Sequence, residues 1–408
     1  MTQSTSPAPA APMRIVLGVT GGIAAYKSAE LVRLMVKAGT SVNVLMTQSA
    51  QQFVTATTFQ ALSGRPVLSN LWSSGADNAM GHIDVSRGAA AIIVAPASAN
   101  FLAKLAHGVS DDLLSTLCLA RECPLLVAPA MNVQMWLNAA TQRNVAQLAR
   151  DGVTILGPGS GELACNETGD GRMLEATELH AAIVALVQPK HLAGKRVLVT
   201  AGPTFEPIDP VRGITNPSSG KMGFAFARAA AEAGGSVTLI AGPTTLPTPA
   251  GVTRVDVRSA ADMADAVLSR ARDNDVFVGI AAVADYTPVE TSDRKLKKRD
   301  APLTITLKPT TDILASVAAM PDAPFCVGFA AESHDVIRHA DEKRRRKNVP
   351  LLVANRVQDA LGSDNNEVTL LDDSGTHALP RMDKLALARR LVEEIARRLG
   401  ESGGAVQP

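Results

Sequence analysis

The side chains in this sequence that could do chemistry fall into two sets, one in each half of the chain. In the first half stand an imidazole, His82 in Met80-Gly81-His82-Ile83-Asp84, a strand-end amide, Asn132, and a thiol, Cys165. The thiol lies in Gly157–Arg172, a stretch rich in Gly, Pro and polar residues without hydrophobic period, which reads as a long loop. Imidazole and thiol are both titratable groups, but nothing in their spacing alone joins them into one site. In the second half stand cations: Lys343 and Lys347, one helical turn apart and therefore facing the same way, and Lys295. Lys295 lies with Lys297, Lys298 and Arg299 in an irregular stretch, Tyr286–Pro302, that reads as a flap. Cations placed this way suit a charge-dense anionic leaving group. Each residue also fits an ordinary role: a capping histidine, an incidental loop cysteine, a turn-forming asparagine, a solvated basic helix face.

The elements that must position these residues repeat one pattern. A buried strand at Arg14–Thr20 runs through Gly21-Gly22-Ile23-Ala24 into a helix with Leu31, Leu34, Met35 and Ala38 on one face, and a strand at Ser41–Met46 follows. The pattern returns at Arg196–Thr200, with Phe226, Ala229, Ala230 and Ala233 as the helix stripe and Ser236–Ile240 as the next strand. Strand, glycine turn, helix, strand is the βαβ unit, so the reading is α/β with two Rossmann-like domains. Glycines at such a turn let backbone N–H groups approach a phosphate, though neither copy spells G-x-G-x-x-G, and a merely tight connection fits as well. Ligands of open parallel sheets sit beyond the carboxyl ends of the strands. There Thr47 and Ser98 can hydrogen-bond phosphate or ribityl oxygens, or can simply cap the next helices.

The 408 residues carry 40 Lys and Arg against 39 Asp and Glu, a balance that argues against a dedicated nucleic-acid or membrane-surface protein. No apolar run approaches the roughly 18 residues of a membrane span, and residues 1–12 form a Ser/Pro/Ala tail expected to be disordered, so a cytoplasmic protein is expected. Cys118, Cys123, Cys165 and Cys326 show no C-x-x-C pair and no zinc spacing, and read as reduced thiols. A helix over Ala176–Val187 ending before Pro189 sets the domain boundary, giving domains 13–190 and 191–408.

Gly-Gly-Ile-Ala-Ala-Tyr-Lys at 21–27, Gly-His-Ile at 81–83, Ala-Pro-Ala-Ser-Ala-Asn at 95–100, Pro-Ala-Met-Asn at 129–132 and Leu-Ala-Cys at 163–165 resemble, in that order, the FMN-dependent cysteine decarboxylases, with 4'-phosphopantothenoylcysteine decarboxylase the nearest family. The resemblance implies a flavodoxin-like, FMN-binding, homo-oligomeric domain. FMN would be held by Gly21, Gly22, Ile23, Ala24, Thr47, Pro96, Ala97, Ser98 and Met131. Oxidation of the thiol carbon to a thioaldehyde would let carbon dioxide leave to an ene-thiolate. His82 would orient substrate and assist proton transfer, Asn132 would hold the carboxylate, and Cys165 would protonate the ene-thiolate while reduced FMN returns the hydride, leaving the reaction redox-neutral.

The motifs of the second half resemble 4'-phosphopantothenate–cysteine ligase. They are Asp209-Pro210-Val211-Arg212, Ile214-Thr215-Asn216-Pro217-Ser218-Ser219-Gly220-Lys221, Ala281-Ala282-Val283-Ala284-Asp285, Lys295-Leu296-Lys297, Gly328-Phe329-Ala330, Lys343–Lys347 and Ser363-Asp364-Asn365-Asn366. Together the halves resemble the bacterial bifunctional coenzyme A biosynthesis proteins. That resemblance implies a nucleotide-binding ligase domain using CTP as co-substrate, Mg²⁺ or Mn²⁺, 4'-phosphopantothenate and L-cysteine, through an acyl-cytidylate. Asn216 would handle the acyl-cytidylate and Lys295 would stabilise its formation. Ala281, Asp285, Thr311, Asp312, Ile313, Leu314, Phe329, Lys343 and Lys347 would contact the nucleotide, Asp285 its metal, and Arg212 the phosphate of phosphopantothenate. Family members commonly carry Asn-Pro where this chain has Thr310-Thr311. Trimeric decarboxylase and dimeric ligase domains would combine into a dodecamer.

Three rival readings remain at this level: one active and one degenerate half, a flavin-binding regulatory subunit, and a nucleic-acid-binding flavoprotein resting on Lys343–Lys347. The motifs in both halves argue against the first two. A salt-sensitive DNA affinity would support the third.

Overall fold

The computed structural model describes residues 13–70, 85–162, 168–297, 303–332, 334–356 and 363–403. His82, Cys165, Lys298 and Arg299 lie outside the described residues. Two compact units emerge, Met1–Val187 and Gln188–Pro408.

The first unit is built on a five-stranded sheet in the order Ser41–Met46, Arg14–Val19, Ala91–Ala97, Leu125–Pro129, Thr154–Ile155, with every pairing parallel. Helices cover both faces, so the central strands are apolar along their whole length and Ala91–Ala97 is buried at every residue. One core layer packs Ile15, Leu17 and Ile93 under Leu31, Met35 and Ile183. The opposite layer packs Val16, Ile92 and Val127 under Phe101, Leu117 and Leu148. The helix Ala25–Lys37 buries Ser28, Leu31, Val32 and Met35, with Leu34 only partly covered. Ala38, expected on that face, is its exposed C-cap, because the helix has already turned the chain toward Gly39.

The expected loop at Gly157–Arg172 contains an antiparallel ladder, Gly159–Glu162 with Thr168–Arg172. Its sequence shows no alternation because backbone pairing and close approach, not side-chain burial, hold it. A Cβ on Gly171, whose φ is +141°, would stand 2.4 Å from the carbonyl oxygen of Met131. The Met131 N–H in turn donates to the Gly171 carbonyl at 3.0 Å.

The second unit has an eight-stranded sheet. Six strands are parallel, in the order Val252–Asp256, Ser236–Ala241, Arg196–Ala201, Val276–Gly279, Phe325–Glu332, Leu351–Arg356. The hairpin Asn365–Asp372 and Gly375–Asp383 adds antiparallel to the last of them. The chain order reverses between Arg196–Ala201 and Val276–Gly279, which opens a crevice at their carboxyl ends. The helix Lys221–Glu232 buries the whole expected stripe of Phe226, Ala229 and Ala230, with Ala233 at its C-cap. It lies tight on the sheet at Gly223, where a Cβ would come 2.4 Å from that of Ala201. A two-stranded ladder, Tyr286–Pro288 with Leu307–Pro309, frames the segment carrying Lys295.

Candidate functional sites

In the first unit the strand ends are tied together through Thr20. Its hydroxyl donates to the Pro96 carbonyl at 2.7 Å and accepts the Ser98 N–H at 3.0 Å, fixing the glycine turn against the 95–100 loop. At Gly21 a Cβ would meet Ser49 at 2.6 Å, whereas at Gly22 nothing lies within 4 Å, so the turn packs on one side and faces open space on the other. The thirteen-residue helix that follows has no acidic side chain in its first turn. Its Ala25 and Lys27 N–H groups bond back to the Gly22 and Ala24 carbonyls, both at 3.0 Å, so what the helix start offers an anion is its positive dipole end. Ser98 is the N-cap of the helix Ala99–His107, its Oγ accepting from Phe101 N at 3.3 Å, and Thr47 Oγ1 accepts from Ala50 N at 3.2 Å in the turn before Ala50–Gln52. Capping uses an acceptor lone pair and leaves the O–H proton to donate, so the two roles weighed for them are compatible.

Asn132 is also an N-cap, its Oδ1 accepting from Gln134 N at 2.7 Å. It sits where the glycine-rich hairpin meets the Leu125–Pro129 strand end, with Gly169 against Val133 and Gly171 against Met131. The stem of the stretch that carries Cys165 is thereby packed beside Asn132. Sequence reasoning passed over Thr20 and also Lys27, whose buried ammonium donates to the Met173 carbonyl and to Glu175, both at 2.9 Å. Cys118 and Cys326 are buried, and burial pushes both thiols up to about 12, which leaves them unreactive at neutral pH.

In the second unit a cavity of about 670 Å³ opens at the carboxyl ends of the strands. It brings together ten of the residues singled out from sequence: Asn216, Ala281, Asp285, Phe329, the pair Lys343 and Lys347, and the run Thr311–Leu314. Local hydrogen bonds explain the placement. Thr200 Oγ1 accepts from Ile280 N and Ala281 N, each at 3.2 Å, Thr204 Oγ1 accepts from Ala284 N at 3.0 Å, and Asn216 Nδ2 donates to the Ala282 carbonyl at 3.0 Å. From the other side Thr310 donates its hydroxyl to the Ala284 carbonyl at 2.6 Å. The 281–285 loop is thus held from both walls, and threonine at 310 supplies one of the bonds.

Four lysines, Lys221, Lys343, Lys347 and Lys384, line the cavity against two aspartates, Asp285 and Asp312. Burial lowers the Lys343 ammonium below its usual value, helped by Lys347 and opposed by Glu332, Asp285 and Asp312. Lys347 instead pairs with Asp312 at 2.8 Å. Burial raises the Asp312 carboxyl, but Lys347 and the Ala315 N–H outweigh it and hold the group below the usual carboxylate range. Lys384 is lowered by burial and by Lys221, with Asp364 opposing. Lys221 in turn pairs with Asp364 at 2.6 Å, and lysines gathered this closely favour an incoming anion. Asn355, Asn366, Lys221 and Lys384 also line the cavity; the sequence signals among them were the Ser363–Asn366 motif, which holds Asn366, and the Ile214–Lys221 motif, which holds Lys221.

Arg212 and Lys295 stand outside the cavity lining. The Arg212 guanidinium binds the Asp209 carboxylate and the Leu296 carbonyl. Lys295 is exposed on the segment framed by Tyr286–Pro288 and Leu307–Pro309.

These two units define a class, a flavoprotein-type α/β module joined to a second parallel-sheet module of pantothenate metabolism. Residues 3–188 match the Flavoprotein family and residues 192–399 the DNA/pantothenate metabolism flavoprotein C-terminal domain. The chain is 48% identical over 393 residues to the coenzyme A biosynthesis bifunctional protein CoaBC of Vibrio vulnificus, covering 95% of this chain and 98% of the relative. The proteins of that name from Escherichia coli (46%, 95% and 98%) and Bacillus subtilis (44%, 94% and 96%) are similar over almost the same span. The chain belongs to the family of bifunctional coenzyme A biosynthesis proteins.

Proposed function

We propose that this enzyme carries two consecutive steps of coenzyme A biosynthesis in two separate domains, 13–190 and 191–408. The second domain joins 4'-phosphopantothenate to L-cysteine, and the first decarboxylates 4'-phosphopantothenoylcysteine to 4'-phosphopantetheine. Membership of the family supports both steps, and the single structural observation that carries the ligase reading is the cavity that gathers Asn216, Asp285, Phe329, Lys343 and Lys347. The strand orders support the finer fold reading, flavodoxin-like for the first sheet and Rossmann-like for the parallel part of the second.

In the ligase, a carboxylate becomes an acyl group only when its oxygen is carried off by a better leaving group. CTP supplies that group as an acyl-cytidylate, with pyrophosphate released; the cysteine amine then attacks the acyl carbon, the acyl–oxygen bond breaks and CMP leaves. Phe329 packs by the base, Lys343 meets the developing charge on the phosphates, and Lys347 shares itself between Asp312 and the nucleotide. Asp285 is the carboxylate available to Mg²⁺, which commonly keeps waters and substrate phosphates as its other ligands. Asn216, fixed on the Ala282 carbonyl, handles the acyl-cytidylate, and Lys295 stabilises its formation from the framed segment.

In the decarboxylase, the N-terminus of the Ala25–Lys37 helix, the open side of Gly22 and the hydroxyls of Thr47 and Ser98 suit FMN, whose phosphate and ribityl chain need such donors. FMN supplies two-electron chemistry at the thiol carbon. Asn132 holds the substrate carboxylate, His82 orients the substrate, and Cys165 returns a proton to the ene-thiolate. The family resemblance implies association of the first domain as trimers and of the second as dimers, toward a dodecamer.

The test is a product assay by mass spectrometry on flavin-loaded protein with 4'-phosphopantothenate, cysteine, Mg²⁺ and CTP. Phosphopantetheine is the expected product. Accumulated phosphopantothenoylcysteine would remove the decarboxylase reading, and no turnover with either CTP or ATP would remove the ligase reading.

A further inference from the structure

Asp209 lies outside the cavity lining, yet its carboxylate is fully buried and every group that contacts it is a donor. Oδ1 accepts from Val211 N and Arg212 N, both at 2.8 Å. Oδ2 accepts from Arg212 Nε at 3.0 Å, from Arg212 Nη2, and from Leu296 N at 3.1 Å. Arg212 Nη2 donates in turn to the Leu296 carbonyl. Both polar backbone groups of Leu296, the residue after Lys295, are therefore held by one ion pair, whose carboxylate is buried and whose guanidinium reaches the surface. A further bond from Ser292 N to the Ile208 carbonyl, at 3.0 Å, ties the same segment to the same loop. After the ladder strand Tyr286–Pro288, residues 289–297 form no helix or strand, so without such ties Lys295 would sample many positions. Burial pushes the Asp209 carboxyl up, but the Arg212 guanidinium and the three backbone N–H groups outweigh it and hold the group far below the usual carboxylate range, so it stays ionised.

We propose that Asp209 is a positioning residue for the ligase reaction: with Arg212 it clasps Leu296 and thereby sets where Lys295 stands relative to the nucleotide cavity. The inference rests on the reading of Lys295 as the group that stabilises acyl-cytidylate formation. The clasp is specific to a carboxylate. In Asp209→Asn the side-chain NH2 must face either the two donors on one side or the three on the other, leaving N–H groups opposed and unpaired.

The experiment uses full-length protein in two measurements. First, hydrogen exchange on the unmutated protein should find the Leu296 amide protected relative to its exposed neighbours Lys295 and Lys297; exchange as fast as theirs would overturn the clasp, whether or not any variant folds. Second, acyl-cytidylate formation is followed by rapid quench and mass spectrometry, without cysteine, in Asp209→Asn, Lys295→Gln and the double variant. Misplacing a catalytic group by about 1 Å costs on the order of 100-fold. The expected result is a loss of that size in Asp209→Asn, with CTP affinity in the cavity retained and the double variant no slower than Lys295→Gln alone. Additive losses, or a parallel fall in CTP affinity, would make Asp209 a structural residue and overturn the proposal. Full rate in Lys295→Gln would instead overturn the reading of Lys295 itself.

Discussion

The two units place their sites alike, beyond the carboxyl ends of parallel strands, and equip them differently. In the first, the strand ends offer glycine backbone, the hydroxyls of Thr47 and Ser98 and the cap residue Asn132. In the second, four lysines and two aspartates line one cavity. On the proposed reading, the contrast follows from who does the chemistry. A flavin brings its own electron sink, so the protein around it binds and orients. A nucleotidyl transfer brings charge and no sink, so the protein must supply cations where that charge develops. The bonds that place each site differ in the same way. Asn132 is set by a hairpin whose strands touch backbone to backbone, whereas the 281–285 loop is set by the hydroxyls of Thr200, Thr204 and Thr310.

Substitutions in one unit should therefore leave the other working. The largest separation is expected from Lys295→Gln, which should lower acyl-cytidylate formation by on the order of 100-fold or more while phosphopantothenoylcysteine supplied from outside is still decarboxylated. Rapid-quench product analysis checks it, and equal loss of both activities would break the comparison. Cys165→Ser should do the converse, stalling the decarboxylase after carbon dioxide has left, seen as carbon dioxide release without phosphopantetheine.

Packing substitutions sharpen the contrast further. Gly171→Ala puts a methyl 2.4 Å from the Met131 carbonyl and displaces the hairpin from Asn132, so decarboxylation should fall with ligation unchanged. Gly223→Val in the second unit forces the Lys221–Glu232 helix off Ala201 and should cost about 1–3 kcal/mol. Calorimetry should show that loss in one unit's transition only; a shift of both would contradict independent units.

The smallest effect expected is one of pH. The Lys343 ammonium is held below its usual value by burial and Lys347, and a bound phosphate raises it again. Nucleotide binding should take up protons in alkaline solution and weaken as pH rises through the lowered value. Calorimetry in two buffers of different ionisation enthalpy reads that uptake, and Lys343→Arg should abolish it. Asp312 runs the other way. Its carboxyl lies below 3.8, so the Asp312–Lys347 pair contributes fully above that pH and is lost as pH falls through the lowered value.

Much of this was legible in the residues. Both βαβ openings, the helix Ala176–Val187 and the shared direction of Lys343 and Lys347 follow from apolar period and helical spacing, which are local. The hairpin at 159–172 was not, because its strands bury backbone against Met131 and Val133, which hydrophobic patterning does not record. Asp209 was visible in its motif beside Arg212, but its function depends on Leu296, 87 residues away, a contact only the fold creates. Asn355, Asn366 and Lys384 reach the cavity from the last parallel strand, the hairpin after it and the final helix, and no spacing between them signals a common site.

Mixing two crippled proteins tests the two-site account most directly. Flavin-loaded Cys165→Ser and Lys295→Gln are incubated singly and together with 4'-phosphopantothenate, cysteine, Mg²⁺ and CTP, and phosphopantetheine is measured by mass spectrometry. Cys165→Ser alone should make none and Lys295→Gln alone only its slow residual amount, and the mixture should make far more, because the first delivers phosphopantothenoylcysteine to the intact flavin domain of the second. A mixture that stays inactive although each variant keeps its own half-reaction, or a single variant that has lost both half-reactions, would contradict two independent sites.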